Sequence, residues 1–419
     1  MLKQAVIYGA GNIGRGFVGQ LFCESGFETT FIDVNKELIG MINDKKEYPI
    51  RFVDNKSSSE ITGITEITGI NEIIISNVRG ADGSPENLDE VIDVISKADI
   101  MATAVGVNIL KFIMQPIAKG INKRLSDGNL TPLNIILCEN LTGGDKLMRE
   151  GVLEYIDDKF KDLYNEKIGF IEASVGRAAP NQTDETKGGN PLRIVAENYG
   201  YLPVDKKAIK GDIPEVKNMI AYSPFEYFIE RKLYLYNMGH AFCAYLGDIS
   251  GYKYIWQAVS DPYIEMIITK AMQRSALALS KIYHADIAGL IGFTENLIYR
   301  FGNKALGDTI QRVGNDIKRK LSPNDRIIGA YKICTENNLP VNYSCMAIAA
   351  AVNFKGDKLS GTGLEEILKE AGSYDFIIQN ADNFELIKKY DNAIKSGVTV
   401  KDLLDIVKDY ENIFNMSAI

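Results

Sequence analysis

The stretch from Ala5 to Asp33 constrains this chain more than any other. It opens with an apolar run, Ala5-Val6-Ile7-Tyr8, and passes through Gly9-Ala10-Gly11-Asn12-Ile13-Gly14. It then continues as a helical segment from Arg15 and Gly16 to a second β-rich run, Thr29–Ile32, which ends at Asp33. A G-x-G-x-x-G match is weak alone, but a strand before it, a helix after it and an acid closing the next strand make it a dinucleotide-binding β-α-β unit. Gly9 permits the tight turn, Gly11 lets a pyrophosphate approach the backbone, and Gly14 lets helix and strand pack closely. Unsatisfied amides at the start of the helix then meet the phosphates. A carboxylate at Asp33 accepts hydrogen bonds from both ribose hydroxyls and repels the extra phosphate of NADP, so the cofactor read here is NAD. Lys36 lies close enough in sequence to soften that preference.

The rest of the first half repeats the alternation. Candidate strands at Ile100–Ala104, Asn134–Leu137, Gly169–Ala173 and Leu192–Ala196 are nearly continuous apolar runs, as parallel strands covered on both faces require. Strands alternating with helical segments predict a doubly wound, Rossmann-type α/β sheet. The segment from Glu47 to Val78 is richer in short β-like runs and predicts extra strands beside that sheet. Thr103, Ala104 and Val105 end the Ile100 strand with small residues, which suits the nicotinamide half of the cofactor. Near Ser223 the pattern changes to long helical periods, so the chain divides into a dinucleotide-binding domain over 1–222 and an all-helical domain over 223–419. Asp261-Pro262 reads as a helix start, followed by Ile264, Ile267, Ile268 and Ala271 on one apolar face. Further helices are predicted over 286–301, 306–319, 324–337, 342–353, 363–371, 380–395 and 399–414. A cleft between the domains is the default ligand site.

Length and charge narrow the partners. The 419 residues suit two domains, and a net charge of −8 without a concentrated basic face argues against nucleic acid and against an anionic membrane surface. No apolar run approaches the roughly 20 residues of a membrane span. The N-terminus shows no signal-peptide pattern. Cys23, Cys138, Cys243, Cys334 and Cys345 are odd in number and scattered, which predicts reduced thiols in a cytoplasmic protein and no zinc site. No exposed apolar stripe demands a partner chain, so a monomer or weak oligomer is expected.

The search for an acid or base is short, because the chain has only two histidines, His240 and His284. His284 falls at a predicted helix end and reads as a capping or exposed residue. His240 follows Lys232 and Asn237 in the segment Arg231–His240, and on a helix Asn237 and His240 share one face, a turn apart. A lysine desolvated near a nicotinamide favours its neutral form. It then removes a hydroxyl proton while hydride leaves the same carbon, with Asn237 steadying the developing oxyanion. Spacing alone leaves equal room for a solvated Lys232 and a buried, satisfied His240.

Taken together, these blocks resemble the polyol-specific long-chain dehydrogenases, the mannitol dehydrogenase family, over nearly the whole chain. The blocks are Gly9–Gly16, Asp33-Val34-Asn35, Thr103–Gly106, Cys138-Glu139-Asn140 and the K-x4-N-x2-H set Lys232, Asn237 and His240. Arg300-Phe301, Arg312-Val313-Gly314, Arg319-Lys320-Leu321 and Asp325-Arg326 are similar to its phosphate-sugar branch. The resemblance implies catalysis without a metal, with Lys232 as general base and acid, Asn140 and Asn237 on the reacting oxygen, and His240 orienting a neighbouring hydroxyl. It implies Ala5, Gly9, Ala10, Gly11, Asn12, Ile13, Gly14, Arg15, Gly16, Asp33, Thr103, Ala104 and Val105 as the cofactor side. The implied reaction is D-mannitol 1-phosphate with NAD+ giving D-fructose 6-phosphate with NADH. Reduction of a hexuronate (fructuronate or tagaturonate) and a non-catalytic NAD-binding sensor are the alternatives. One departure stands out: where the family carries an acid in V-D-R, this chain has Val175-Gly176-Arg177. Arg300, Arg312, Lys320 and Arg326 are candidate cations for a substrate phosphate or, equally, partners in salt bridges.

Overall fold

The computed structural model describes residues 2–53, 72–180 and 182–411. Its contacts divide the chain into two compact units, with the break between Glu226 and Tyr227. Among the described residues the first unit carries eleven strands: β1 Gln4–Tyr8, β2 Glu28–Asp33, β3 Glu47–Val53, β4 Glu72–Ser76, β5 Val78–Asp82, β6 Ile100–Thr103, β7 Leu133–Leu137, β8 Ile168–Glu172, β9 Ile194–Glu197, β10 Leu202–Asp205 and β11 Met219–Tyr222.

Six of them form one sheet in the order β5-β2-β1-β6-β7-β8, with every pairing parallel. Alternate residues of its strands feed two separate cores. Ala5, Ile7, Phe31, Ala102 and Ile136 pack on one side with Phe17, Val18, Leu21 and Phe22 of the glycine-loop helix. Val6, Tyr8, Ile32, Met101 and Ile135 pack on the other with Val91 and Val94 of helix Leu88–Ser96 and with Ile113, Ile117 and Ile121 of helix Leu110–Ser126. Burial on both faces is why the central strands are largely apolar at successive positions, and it makes the sheet doubly wound.

The extra strands predicted over 47–78 form at both ends of that stretch, and its middle, 54–71, lies outside the described residues. β3 pairs antiparallel with β4 and parallel with β9, so the Leu192–Ala196 run belongs to this smaller sheet and not to the main one. The sequence pattern does not separate β5 as a strand of its own. Arg79, Gly80 and Asp82 dilute its apolar character, yet it pairs with β2 in register Asp33 to Asp82 and closes the sheet edge.

The second unit is helical. Asp261 caps helix Pro262–Tyr283 by accepting from the Tyr263 and Ile264 amides, with Pro262 in the first turn. Ile264, Ile267, Ile268 and Ala271 are its buried face, and His284 ends it in the left-handed conformation (φ 52°). Helix Asn342–Val352 is buried on all sides from Tyr343 onward, as a helix apolar all round must be. The helix predicted over 306–319 is broken. Left-handed backbone at Gly307 (φ 62°) and Asp316 (φ 65°) splits it into the short pieces Ile310–Gly314 and Ile317–Lys320, with Thr309 capping the first. All five cysteines are free thiols and four are buried. No described helix is long and apolar enough to cross a membrane.

Candidate active site

The glycine loop sits at the carboxyl end of β1. Gly9 has φ 106°, which disfavours any side chain, and a Cβ there would lie 2.5 Å from the Ala104 carbonyl oxygen. A Cβ on Gly14 would lie 2.0 Å from the Gly9 oxygen, and one on Gly16 would lie 2.5 Å from Ile194. Gly11 is different: nothing lies within 4 Å of where its Cβ would be. Two glycines of the motif therefore close the turn, while the middle one borders an open cradle, which fits a pyrophosphate lying against the backbone. The helix that follows begins as a π-turn, Gly14–Val18, before Gly19–Glu24 runs as α-helix.

Not every predicted cofactor position faces that cradle. Ala5 is fully buried inside β1 and shapes the core. Arg15 is 5% exposed; its Nε donates to the Ala10 carbonyl at 2.7 Å and its Nη1 to the Leu192 carbonyl at 2.7 Å. Burial lowers its pKa, and its guanidinium ties the loop to the segment leading into β9 instead of reaching out to phosphate. The Ala10 amide is also engaged, donating to Asp33 Oδ2 at 2.8 Å. Gly11 and Asn12 stay exposed at the helix start, with Ile13 half-buried.

Asp33 accepts from Ala10 and, through Oδ1, from the Asn35 amide at 3.0 Å. That orients the carboxylate while leaving further acceptor positions on its two oxygens. Lys36 does not neutralise it. The Lys36 ammonium pairs with Glu86 at 2.6 Å and lies 3.5 Å from Asp82, the residue opposite Asp33 on β5. The sheet edge here thus carries three carboxylates and one cation already shared.

Glu139, just past β7, was quoted in the sequence pattern but given no role. Its Oε2 accepts from the Thr103 hydroxyl at 2.6 Å and its Oε1 from the Val105 amide at 2.9 Å. It therefore stitches the ends of β6 and β7 together beneath Ala104, while Thr103 itself is fully buried. Asn140 follows on the exposed side of the same strand end.

In the second unit, Lys232–Asn237 is a π-turn that runs directly into α-helix Met238–Ile249. This solves a spacing problem. In an α-helix, residues five apart point about 140° away from each other. The i→i+5 closure adds a residue to the turn and swings Asn237 back toward Lys232. His240 follows one α-turn later, so the K-x4-N-x2-H spacing aligns only on this irregular backbone. Room for it comes from Gly329, where a Cβ would lie 2.3 Å from the Tyr234 ring. Burial, with the Arg326 guanidinium adding to it, lowers the Lys232 pKa to about 8. His240 lies over Phe301 at 5.0 Å with the rings 12° from parallel, and its Nε2 is 3.2 Å from Asp308 Oδ2.

The four candidate phosphate cations are placed differently from one another. Lys320 is 4% exposed and donates to the carbonyls of Val313 and Asn315, a structural role. Arg326 Nε donates to Asp325 at 2.7 Å, Arg312 pairs with Asp308, and the buried Arg300 stacks over Tyr236 at 5.2 Å. At the departure from the family pattern, a Cβ on Gly176 would lie 2.7 Å from the Tyr199 ring, so an aromatic edge fills the space an acid would need. Arg177 beside it is satisfied by neutral oxygens: the Tyr199 and Gly16 carbonyls and Gln20 Oε1. Among the described residues no group of three or more His, Cys, Asp or Glu is placed to hold a metal ion.

Comparison with known proteins agrees with this layout. The family model for the mannitol dehydrogenase Rossmann domain matches residues 3–218, and that for the mannitol dehydrogenase C-terminal domain matches residues 225–418. A mannitol-1-phosphate 5-dehydrogenase from Thermoanaerobacter pseudethanolicus is 36% identical over 402 residues, 93% of this chain and 97% of the relative. Two solved structures share the fold. A D-sorbitol dehydrogenase in substrate-free form has a TM-score of 0.73 at 15% identity, covering 96% of this chain and 95% of its own. The mannitol 2-dehydrogenase of Pseudomonas fluorescens, in a ternary complex with NAD and D-mannitol, has a TM-score of 0.66 at 13% identity, covering 97% and 95%. With both halves matched in order and a relative similar along its whole length, the chain belongs to the mannitol dehydrogenase family.

Proposed function

We propose that this chain is an NAD-dependent polyol-phosphate dehydrogenase that interconverts D-mannitol 1-phosphate and D-fructose 6-phosphate. The observation that carries the reading is Lys232: a half-buried lysine whose desolvation lowers its pKa to about 8, on one helical stretch with Asn237 and His240. A base with a pKa near working pH has a useful neutral fraction and still accepts a proton readily. The relative at 36% identity, named for mannitol 1-phosphate, supports the substrate class.

The residues that would hold NAD are the glycine loop around Gly11, Asp33 on the ribose and the strand end at Thr103–Val105. The open space beside Gly11 and the free acceptor positions on Asp33 fit that group. The carboxylates of Asp33, Asp82 and Glu86 would repel a 2′-phosphate, which supports NAD over NADP. When bound, NAD+ supplies the acceptor for the hydride of the carbinol carbon. Lys232 Nζ takes the hydroxyl proton as the C–O bond becomes C=O, and returns it in reduction. Asn140 and Asn237 donate amide hydrogens to the oxygen, where charge builds up. His240 fixes an adjacent hydroxyl.

Consumption of NADH, followed by its absorbance, tests the assignment with fructose 6-phosphate, fructuronate and tagaturonate. Only the first carries phosphate. A strong preference for it is the expected result, and preference for either keto acid would replace the substrate with a hexuronate.

A further inference from the structure

Asp308 has no part in the reaction as described, yet it is placed with care. It follows the left-handed Gly307, and its backbone carbonyl accepts from the Ile255 amide at 2.9 Å. The Ile310 amide donates to the Lys253 carbonyl at 3.0 Å, so Tyr254 and Thr309 form an antiparallel bridge. The Asp308 backbone is therefore clamped on both sides. Its carboxylate is largely buried, at 17% exposure, with Oδ1 toward Arg312 and Oδ2 toward His240 Nε2. Burial pushes its pKa up, but the hydrogen bond with His240 and the Arg312 guanidinium outweigh that and hold it below the usual carboxylate range.

We propose that Asp308 is a positioning residue that fixes the tautomer of His240, so that its Nδ1 lone pair is presented to a substrate hydroxyl. An ionised carboxylate only accepts, so the ring nitrogen facing it must carry the proton. Nε2 is then N–H, and in the neutral ring Nδ1 is the acceptor. Phe301 stacked under the ring face and Tyr236 at 5.6 Å pack against the imidazole and hold its Nε2 edge toward Asp308. His240 thus orients the hydroxyl by accepting its hydrogen. Arg312 anchors the far oxygen of Asp308 and keeps the carboxylate charged. This inference rests on His240 facing the substrate, as proposed above, but its primary test does not involve substrate.

The chain has two histidines, so 15N-labelled imidazole spectra are simple, and His284→Gln assigns them. In the full-length protein, His240 should show a protonated Nε2 and an unprotonated Nδ1. Asp308→Asn keeps the shape but offers an amide N–H to Nε2, and it should move His240 toward the Nδ1–H form. In the same variant kcat/KM for mannitol 1-phosphate should fall about 10- to 100-fold, the weight of one charged hydrogen bond. Asp308→Glu, which keeps the charge, should recover part of that loss. An Nδ1–H tautomer in the unmodified protein, or an unchanged tautomer in Asp308→Asn, overturns the proposal. If mannitol 1-phosphate proves not to be the substrate, the spectra still decide the role of Asp308.

Discussion

The two π-turns among the described residues make opposite demands on their surroundings. Around Gly11, just before the π-turn Gly14–Val18, the proposed binding surface is the backbone itself, and what matters there is the absence of side chains at Gly9, Gly11 and Gly14. At Lys232–Asn237 the backbone would serve only as a frame, aiming Lys232 and Asn237 and leading into the helix that carries His240. Adding an atom should damage the first region, and removing one should damage the second.

The sharpest way to break that contrast is Lys232→Ala. It should lower kcat by about 10²- to 10⁴-fold, the usual weight of a general base, while NAD binding survives. Full activity in that variant, measured by NADH absorbance beside an NAD titration, would remove Lys232 from the chemistry.

Two glycine variants test the other side. Gly11→Ala adds a methyl into open space, so thermal stability should hold while NAD affinity drops about 10- to 100-fold from crowding the cofactor. Gly14→Ala drives its methyl into the Gly9 carbonyl and should cost about 1–3 kcal/mol of stability even without NAD. If both variants lose stability equally, the cradle beside Gly11 is not a ligand site.

Glu139→Gln removes one of two acceptor oxygens that tie Thr103 and Val105 together. A lost hydrogen bond to a charged group is worth about 1.5–3 kcal/mol, so NAD affinity should weaken about tenfold or more while Lys232-dependent chemistry persists. Calorimetric titration with NAD reads this directly, and unchanged affinity would make Glu139 a purely structural tie.

The smallest effect is a shift in pH dependence. Polyol oxidation needs neutral Lys232, so kcat/KM should rise with pH and level off above about 8; ketose reduction needs the protonated form and should fall through the same range. Burial is the main cause of that low value and Arg326 the second. Arg326→Met should therefore raise the Lys232 pKa and move both profiles to higher pH. A profile that stays in place would show that Arg326 does not act on the base.

Much of the α/β unit was legible because its signals are local. Apolar runs, a glycine spacing and an acid at a strand end each depend on residues close in sequence. The failures share a physical cause. β5 pairs with a strand some 50 residues away in sequence and has little periodicity of its own, and the helix over 306–319 breaks at single left-handed residues that periodicity cannot see. Arg15 falls on the cofactor side by its place in the motif, but its carbonyl partner at Leu192 lies 177 residues on.

The sequence by itself determined the Rossmann-type first half and the helical second half, since these follow from period and short-range spacing, while the residues that would react were implied by the family resemblance. Only the tertiary structure decided how those residues are tuned. The pKa of Lys232 depends on burial and on Arg326, its alignment with Asn237 on a π-turn given room by Gly329, and the tautomer of His240 on Asp308. Electrostatics and packing act through space, and the partners that matter were brought together from distant parts of the chain.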